Sequence, residues 1–137
     1  MPTKILLIDD DQGITGLLSR ALSRSGFEVM ATNNSSEGVR WARTYCPDIV
    51  ITDLMMPEMN GWEVCKKIRT FSYVPIIVSS ARNEPHVIAS VLDAGADRYL
   101  VKPYSVGTLV AYIKSIACHM LHIESVKPLS GIHLTPP

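Results

Sequence analysis

The chain has 137 residues, 47% hydrophobic and 19% charged, the size and profile of one globular domain that buries its own core. Thirteen Lys and Arg balance thirteen Asp and Glu, which argues against a nucleic-acid grip, since phosphate-backbone affinity needs an excess of cations on one face. The three cysteines (Cys46, Cys65, Cys118) are odd in number and sit in apolar helical patterns. They read as small buried residues of a reducing compartment rather than as a disulfide frame or zinc site. No run approaches a membrane span and the segment after Met1 lacks a signal-peptide layout, so a cytoplasmic protein is expected.

Lys4 to Ile8 is a short, continuous apolar run that stops at three acids, the look of a strand buried on both faces. Ile14, Leu17, Leu18, Ala21 and Leu22 then form one apolar helical stripe, with Gly26 as its C′ residue. Phe27 to Ala31 is a weaker strand. Asn34-Ser35-Ser36-Glu37 has the form of a capping box and opens a helix that ends before Pro47. Asp48 to Asp53 is another buried strand ending on an acid. Met55 to Asn60 is a loop, and Gly61 to Phe71 a helix carrying Val64, Cys65 and Ile68 at helical spacing. Pro75 to Ser79 is a fourth strand, His86 to Ala94 a helix closed by Gly95, and Arg98 to Val101 a fifth strand. The last helix runs from Ser105 to about Met120, with Leu109, Tyr112, Ile113, Ile116 and Ala117 inward.

Five strands alternating with five helices imply βαβ units, right-handed crossovers and a parallel sheet covered on both faces. In such sheets the ligand site lies beyond the carboxyl ends of the strands. The first strand ends at Asp9-Asp10-Asp11, the third at Asp53, the fourth at Ser79-Ser80 and the fifth at Lys102. Carboxylates, a hydroxyl and an ammonium therefore meet on one rim. Neighbouring carboxylates repel unless a cation joins them, and an all-oxygen ligand set suits Mg²⁺ better than zinc. A carboxylate can also attack phosphorus to give an aspartyl-phosphate. Phosphoryl transfer asks mainly for positioning and charge neutralisation, tasks suited to Mg²⁺, Lys102 and Ser80.

The segments ILLIDDD, DIVITDLMMPEMNG, PIIVSSA and YLVKPY, in this order and at these intervals, resemble a response-regulator receiver domain of two-component systems over residues 3 to about 120. The resemblance implies a flavodoxin-like (βα)5 fold, five parallel strands in the order 2-1-3-4-5 with helices on both faces. It implies a receiver domain over residues 1–121 and a tail or linker over 122–137. Asp53 would be the phosphoacceptor, Asp9 and Asp10 the acidic pair, and Asp10, Asp53 and the backbone carbonyl of Met55 the Mg²⁺ ligands. Ser80 and Ala81 would bind the phosphoryl group with Lys102, Ser80 and Tyr99 would act as the switch pair, and Lys102–Pro103 would be a cis peptide. The side chains of Met55 and Arg82 would flank the route of hydrolytic water. The implied function is a phosphorylation-dependent signalling switch and not an ordinary enzyme. It would receive its phosphoryl group from a sensor histidine kinase or a phosphotransfer protein. Its helix 4/strand 5/helix 5 surface would then change to regulate a partner or fused effector. That surface departs from the family's pattern. Around Ala96-Asp97-Arg98-Tyr99 and Thr108 to Ile113 most of the acids and arginines of the symmetric dimer are missing, so this apolar face would serve a different partner or a homodimer with different contacts.

Other readings attach to several residues. Asp11 reads as a helix N-cap or as a metal ligand, Ser79 competes with Ser80 as the switch hydroxyl, and Tyr99 as a half-buried strand aromatic. Gly61 reads as a turn residue. The four histidines show no metal-like grouping. A haloacid-dehalogenase-like phosphatase would use Asp9-x-Asp11 with Asp93 and Asp97 as distal acids, and a receiver-like binding module would need no phosphorylation.

Overall fold

The computed structural model describes residues 2–130, with side chains through residue 119. In chain order the elements are β1 (Lys4–Ile8), α1 (Gln12–Arg24), β2 (Glu28–Thr32), α2 (Ser35–Thr44), β3 (Ile49–Asp53), α3 (Gly61–Arg69), β4 (Ile76–Ser80), α4 (Pro85–Asp93), β5 (Arg98–Val101) and α5 (Val106–Ser130). The sheet order is β2-β1-β3-β4-β5, with every pairing parallel. This is the doubly wound order expected.

Strand alternation splits the core in two. Ile5, Leu7, Ile49, Ile51 and Ile77 face α1 and α5, where Leu18, Leu22, Leu109 and Ile113 meet them. Leu6, Ile8, Val50, Ile76 and Val78 face α2, α3 and α4, against Ala42, Val64, Ile68 and Val91. With both faces covered, β1, β3 and β4 have no polar side to show, which is why they read as unbroken apolar runs.

Most element ends fall within a residue or two of expectation; the exceptions have local causes. Leu17 belongs to the predicted stripe of α1 but is 54% exposed. Asn34 caps α2 by accepting from the Glu37 amide, while Glu37 turns away to accept from Thr32 Oγ1 at 2.6 Å, so the box is only half closed. A complete capping box forms instead at Asn60 and Glu63, opening α3. α5 continues to Ser130, past the predicted end near Met120 and across the proposed boundary at residue 121. Apolar periodicity reports which face packs, not whether the backbone is helical, and no proline interrupts the run between Pro103 and Pro128. The remainder of the predicted tail, residues 131–137, lies outside the described residues.

The cysteine reading needs correction at two positions. Cys65 is buried, and burial pushes its thiol up to about 11. Cys46 and Cys118 are exposed. Cys46 lies just beyond the C-cap of α2 with φ of 47°, off the helix, and Cys118 lies on the solvent side of α5.

Arg69, at the end of α3, ties together the edge of the sheet opposite the acids. Its guanidinium donates to the carbonyls of Gly95 and Val74 at 2.8 and 2.7 Å and to Asp97 Oδ2 at 3.0 Å. Asp97 in turn accepts the Ile76 amide at 2.8 Å. Arg69→Met leaves these carbonyls without a donor. We expect it to lower stability by about 2–3 kcal/mol, read as a lower urea midpoint at unchanged slope.

Candidate functional site

The carboxyl rim is set by ladder bonds that run one residue past the strands. The Asp9 amide donates to Thr32 O at 3.2 Å, Leu54 to Ser79 O at 3.0 Å and Lys102 to Ser80 O at 2.8 Å. These bonds hold the backbone on which Asp9, Asp53 and Lys102 stand. One carboxylate oxygen from each of Asp9, Asp10 and Asp53 lies within 4.8 Å of the others. Lys102 Nζ donates to Asp53 Oδ1 at 3.0 Å and lies 3.6 Å from Asp9 Oδ2. The Lys102–Pro103 peptide is cis.

The three acids differ in setting. Asp9 is buried, Asp53 half-buried and Asp10 exposed. Burial raises the Asp9 carboxyl above its usual range, with the Asp53 charge adding to the rise and the Asp11 amide opposing it. Lys102 is itself partly desolvated, but its hydrogen bond to Asp53 and the charges of Asp53 and Asp9 outweigh this and raise it. Burial likewise raises the phenol of Tyr104. Of the three carboxylates, Asp9 and Asp53 share the Lys102 ammonium.

The arrangement fits a hard divalent cation: the donors are all oxygen, and burial makes the charge on Asp9 costly, a cost that a second cation would relieve. The same imbalance predicts a stability effect. For Asp9 the folded-state pKa lies above the unfolded one. The folded state therefore binds more protons between the two values, and stability falls as pH rises through that window. Asp9→Asn keeps the acceptor for the Asp11 amide and removes the strained charge. We expect it to raise thermal stability at pH 7 by about 1 kcal/mol, to lose that gain at pH below the ordinary aspartate range, and to respond less to added Mg²⁺. Differential scanning calorimetry across pH, with and without Mg²⁺, tests all three.

Asp11 is not in the cluster. Its side chain caps α1, accepting from the Gly13 and Ile14 amides at 2.8 and 3.2 Å. Asp97 lies before β5, at the far edge with Arg69, so it cannot serve as the distal acid of a phosphatase site on this rim. Ser79 and Ser80 are both buried; Ser80 Oγ accepts the Arg82 amide at 3.1 Å. Tyr99 is half-buried and its hydroxyl donates to Arg82 O at 2.6 Å. Ala81 is exposed beside Lys102, and Met55 is exposed in the β3–α3 loop. His86 and His119 are exposed, and the acidic trio is the metal-like group found among the described residues.

Two supports escaped sequence reasoning. Asn33 Nδ2 donates to Asp9 O at 2.8 Å and Thr15 Oγ1 at 3.0 Å, bracing the acidic loop from β2. A Cβ on Gly61 would lie 2.8 Å from both Asp53 O and Leu54 Cα. The glycine therefore admits a close backbone approach beneath Asp53, a stronger need than the turn first assigned to it.

Beside Lys102 a cavity of about 440 Å³ opens between α1 and the β5–α5 connection, with Ile14, Leu17, Leu18, Ala81 and Tyr104 among its walls.

A family model described as the response regulator receiver domain matches residues 5–114. The alkaline phosphatase synthesis transcriptional regulatory protein PhoP of Bacillus subtilis is 37% identical over 117 residues, 85% of this chain and 49% of that one. The response regulator ArlR of Staphylococcus aureus is 35% identical over 114 residues, 83% of this chain and 52% of its own. The chain thus spans about half the length of these curated relatives. Among solved structures, a two-component response regulator from Clostridium difficile superposes with a TM-score of 0.83 at 31% identity, covering 86% of this chain and 98% of that one. The chemotaxis protein CheY4 of Vibrio cholerae gives 0.80 at 28% identity, covering 85% and 99%. With the fold, the acidic rim and these likenesses together, the chain belongs to the response regulator receiver domain family of two-component systems.

Proposed function

We propose that the chain is a phosphorylation-dependent switch in which Asp53 accepts a phosphoryl group from the phosphohistidine of a sensor histidine kinase or phosphotransfer protein. The observation that carries this reading is the meeting of Asp9, Asp10 and Asp53 within 4.8 Å, with the Lys102 ammonium 3.0 Å from Asp53. A carboxylate oxygen of Asp53 attacks phosphorus in line; the O–P bond forms as the N–P bond to the donor imidazole breaks. Lys102 holds the Asp53 carboxylate in place and then neutralises charge on the phosphoryl oxygens. Asp9, Asp10 and Asp53, with the backbone carbonyl of Met55, would hold Mg²⁺, which when bound supplies the remaining positive charge. Ser80 and the backbone at Ala81 bind the phosphoryl oxygens, and the new charge of about −2 biases Ser80, Tyr99 and the α4–β5–α5 surface toward a second arrangement. Water later cleaves the acyl phosphate. The chain works in the cytoplasm as a signalling domain, regulating a partner or a fused effector.

Incubation with acetyl phosphate and Mg²⁺ followed by intact-mass measurement tests this: one phosphoryl group is expected. A phosphatase would instead turn over the donor and depend on Asp9, and an inert module would do neither.

The cavity beside Lys102 offers a protein donor an apolar foothold next to Asp53. Leu17, exposed on its wall, is the natural anchor. Leu17→Asp is expected to slow transfer from a phosphorylated donor protein by about tenfold or more and to leave labelling by acetyl phosphate unchanged. Equal rates from both donors in the variant and the wild type would remove Leu17 from the docking surface.

A further inference from the structure

α2 leads into the start of β3 and α3 into the start of β4, so their last turns lie at the edge of the sheet opposite the acids. Between them opens a groove of about 450 Å³, with Val39, Arg40 and Arg43 on one wall and Lys67 and Phe71 on the other. Val39 and Phe71 are half-buried and form an apolar floor, while Arg40, Arg43 and Lys67 are exposed. The Arg43 guanidinium lies over the Phe71 ring, 4.5 Å from its centroid. Cations near a helix end commonly serve the carbonyls of the last turn. Here other side chains have taken the carbonyls of Arg40, Arg43 and Lys67: Thr44 Oγ1 donates at 3.0 Å, Cys46 Sγ at 3.6 Å and Thr70 Oγ1 at 2.6 Å. The acids of the same two helices are engaged elsewhere, Glu37 with Thr32 and Glu63 with the Asn60 amide. Among the described residues, Arg40, Arg43 and Lys67 therefore stand in no ion pair.

Like charges around one groove repel, and an anion between them relieves the cost. The volume is that of a small-molecule site. A guanidinium already stacked on a ring presents a flat, weakly hydrated face that can take a second ring. We propose that this groove binds a nucleoside phosphate, with the base on the Arg43–Phe71 stack and the phosphates between Arg40 and Lys67. Such a ligand uses both halves of the groove. Inorganic phosphate would leave the stack and the apolar floor unused, a neutral ring would leave the cations unpaired, and an acidic peptide would not need the plane of Arg43. The walls carry no carboxylate or histidine to act as a base, so the ligand is bound and not turned over. The groove lies away from the Asp53 rim, and the proposal does not depend on phosphoryl transfer there.

The test is titration of the full chain with ATP, adenosine, pyrophosphate and a Glu-rich peptide, followed by backbone amide chemical shifts in a buffer with EDTA that keeps Mg²⁺ off the rim. ATP is expected to shift the amides of residues 39–44 and 67–71 and to leave those of Asp9 and Asp53 in place. Arg40→Gln and Lys67→Gln alter exposed side chains, so the fold should hold, and each should weaken ATP about tenfold. Arg43→Lys keeps the charge but loses the plane; it should lower the affinity for ATP to that for pyrophosphate, with pyrophosphate itself unaffected. Adenosine should bind more weakly than ATP by about tenfold or more. No shift in the groove at millimolar ATP, pyrophosphate binding as tightly as ATP, or ATP binding untouched by Arg43→Lys would each overturn the proposal. So would a Glu-rich peptide that binds there more tightly than ATP, which would give the groove to a protein partner. Asp53→Asn should bind ATP as the wild type does, so the result stands apart from the fate of the phosphoacceptor reading.

Discussion

Asp53→Asn should take up no phosphoryl group under conditions in which the wild-type chain gains one. The amide oxygen cannot act as a nucleophile toward phosphorus as a carboxylate does, so the loss is complete rather than graded. Folding should survive. The carboxylate accepts its described side-chain hydrogen bond from Lys102; asparagine keeps the shape and the acceptor, and Lys102 still has Asp9 within 3.6 Å. Removing one of three crowded negative charges also relieves repulsion, so the thermal midpoint should hold or rise. The informative comparison is intact mass after acetyl phosphate treatment, with calorimetry on the same samples. Uptake of a phosphoryl group by a folded Asp53→Asn chain would move the acceptor elsewhere.

The second large effect is expected at Lys102, and its two readouts should move in opposite directions. Lys102→Met keeps much of the side chain's length and apolar stem but removes the ammonium that pairs with Asp53 and Asp9. Charge stabilisation at the transferring group is then lost, and labelling should slow by about 10²–10³-fold. The three carboxylates meanwhile lose their competing cation, so affinity for Mg²⁺ should rise. Calorimetric titration with Mg²⁺ and the labelling time course separate the two. A merely structural lysine would weaken metal binding together with labelling, because a collapsing rim loses its geometry. Tighter metal binding with slower labelling is what the observed contacts require.

Much of the architecture was legible before any coordinates. The runs at Ile5–Ile8, Ile49–Ile51 and Ile76–Val78 are apolar on both faces because helices cover both sides of the sheet, and a pattern that strong is local. The acids at the ends of the first and third strands, with Lys102 after the fifth, announced the rim through the topology of parallel sheets alone. The Asp11 cap was readable for the same reason: its partners, the Gly13 and Ile14 amides, lie two and three residues on. What escaped was non-local or concerned solvent. Leu17 and Cys118 follow apolar patterns yet face water, because a helix ridge packs only as far as its neighbour reaches, and Cys46 has already left the helix. Gly61 looked like a turn residue until the strand end that approaches it was in place. Arg69 and Asp97 are 28 residues apart, and nothing near either one hints at the other.

The sequence by itself determined the fold class, the strand termini that carry the acids and the lysine, and the family. Each of these is written in short stretches whose periodicity and residue types suffice. Only the tertiary structure decided how the charges are shared: which acid is buried, which one Lys102 reaches, and that Arg82 spends its charge on Glu84 while its backbone joins Ser80 to Tyr99. Burial and pairing depend on distances of a few ångströms between segments far apart in the chain, and the field at a carboxylate is the sum over all of them.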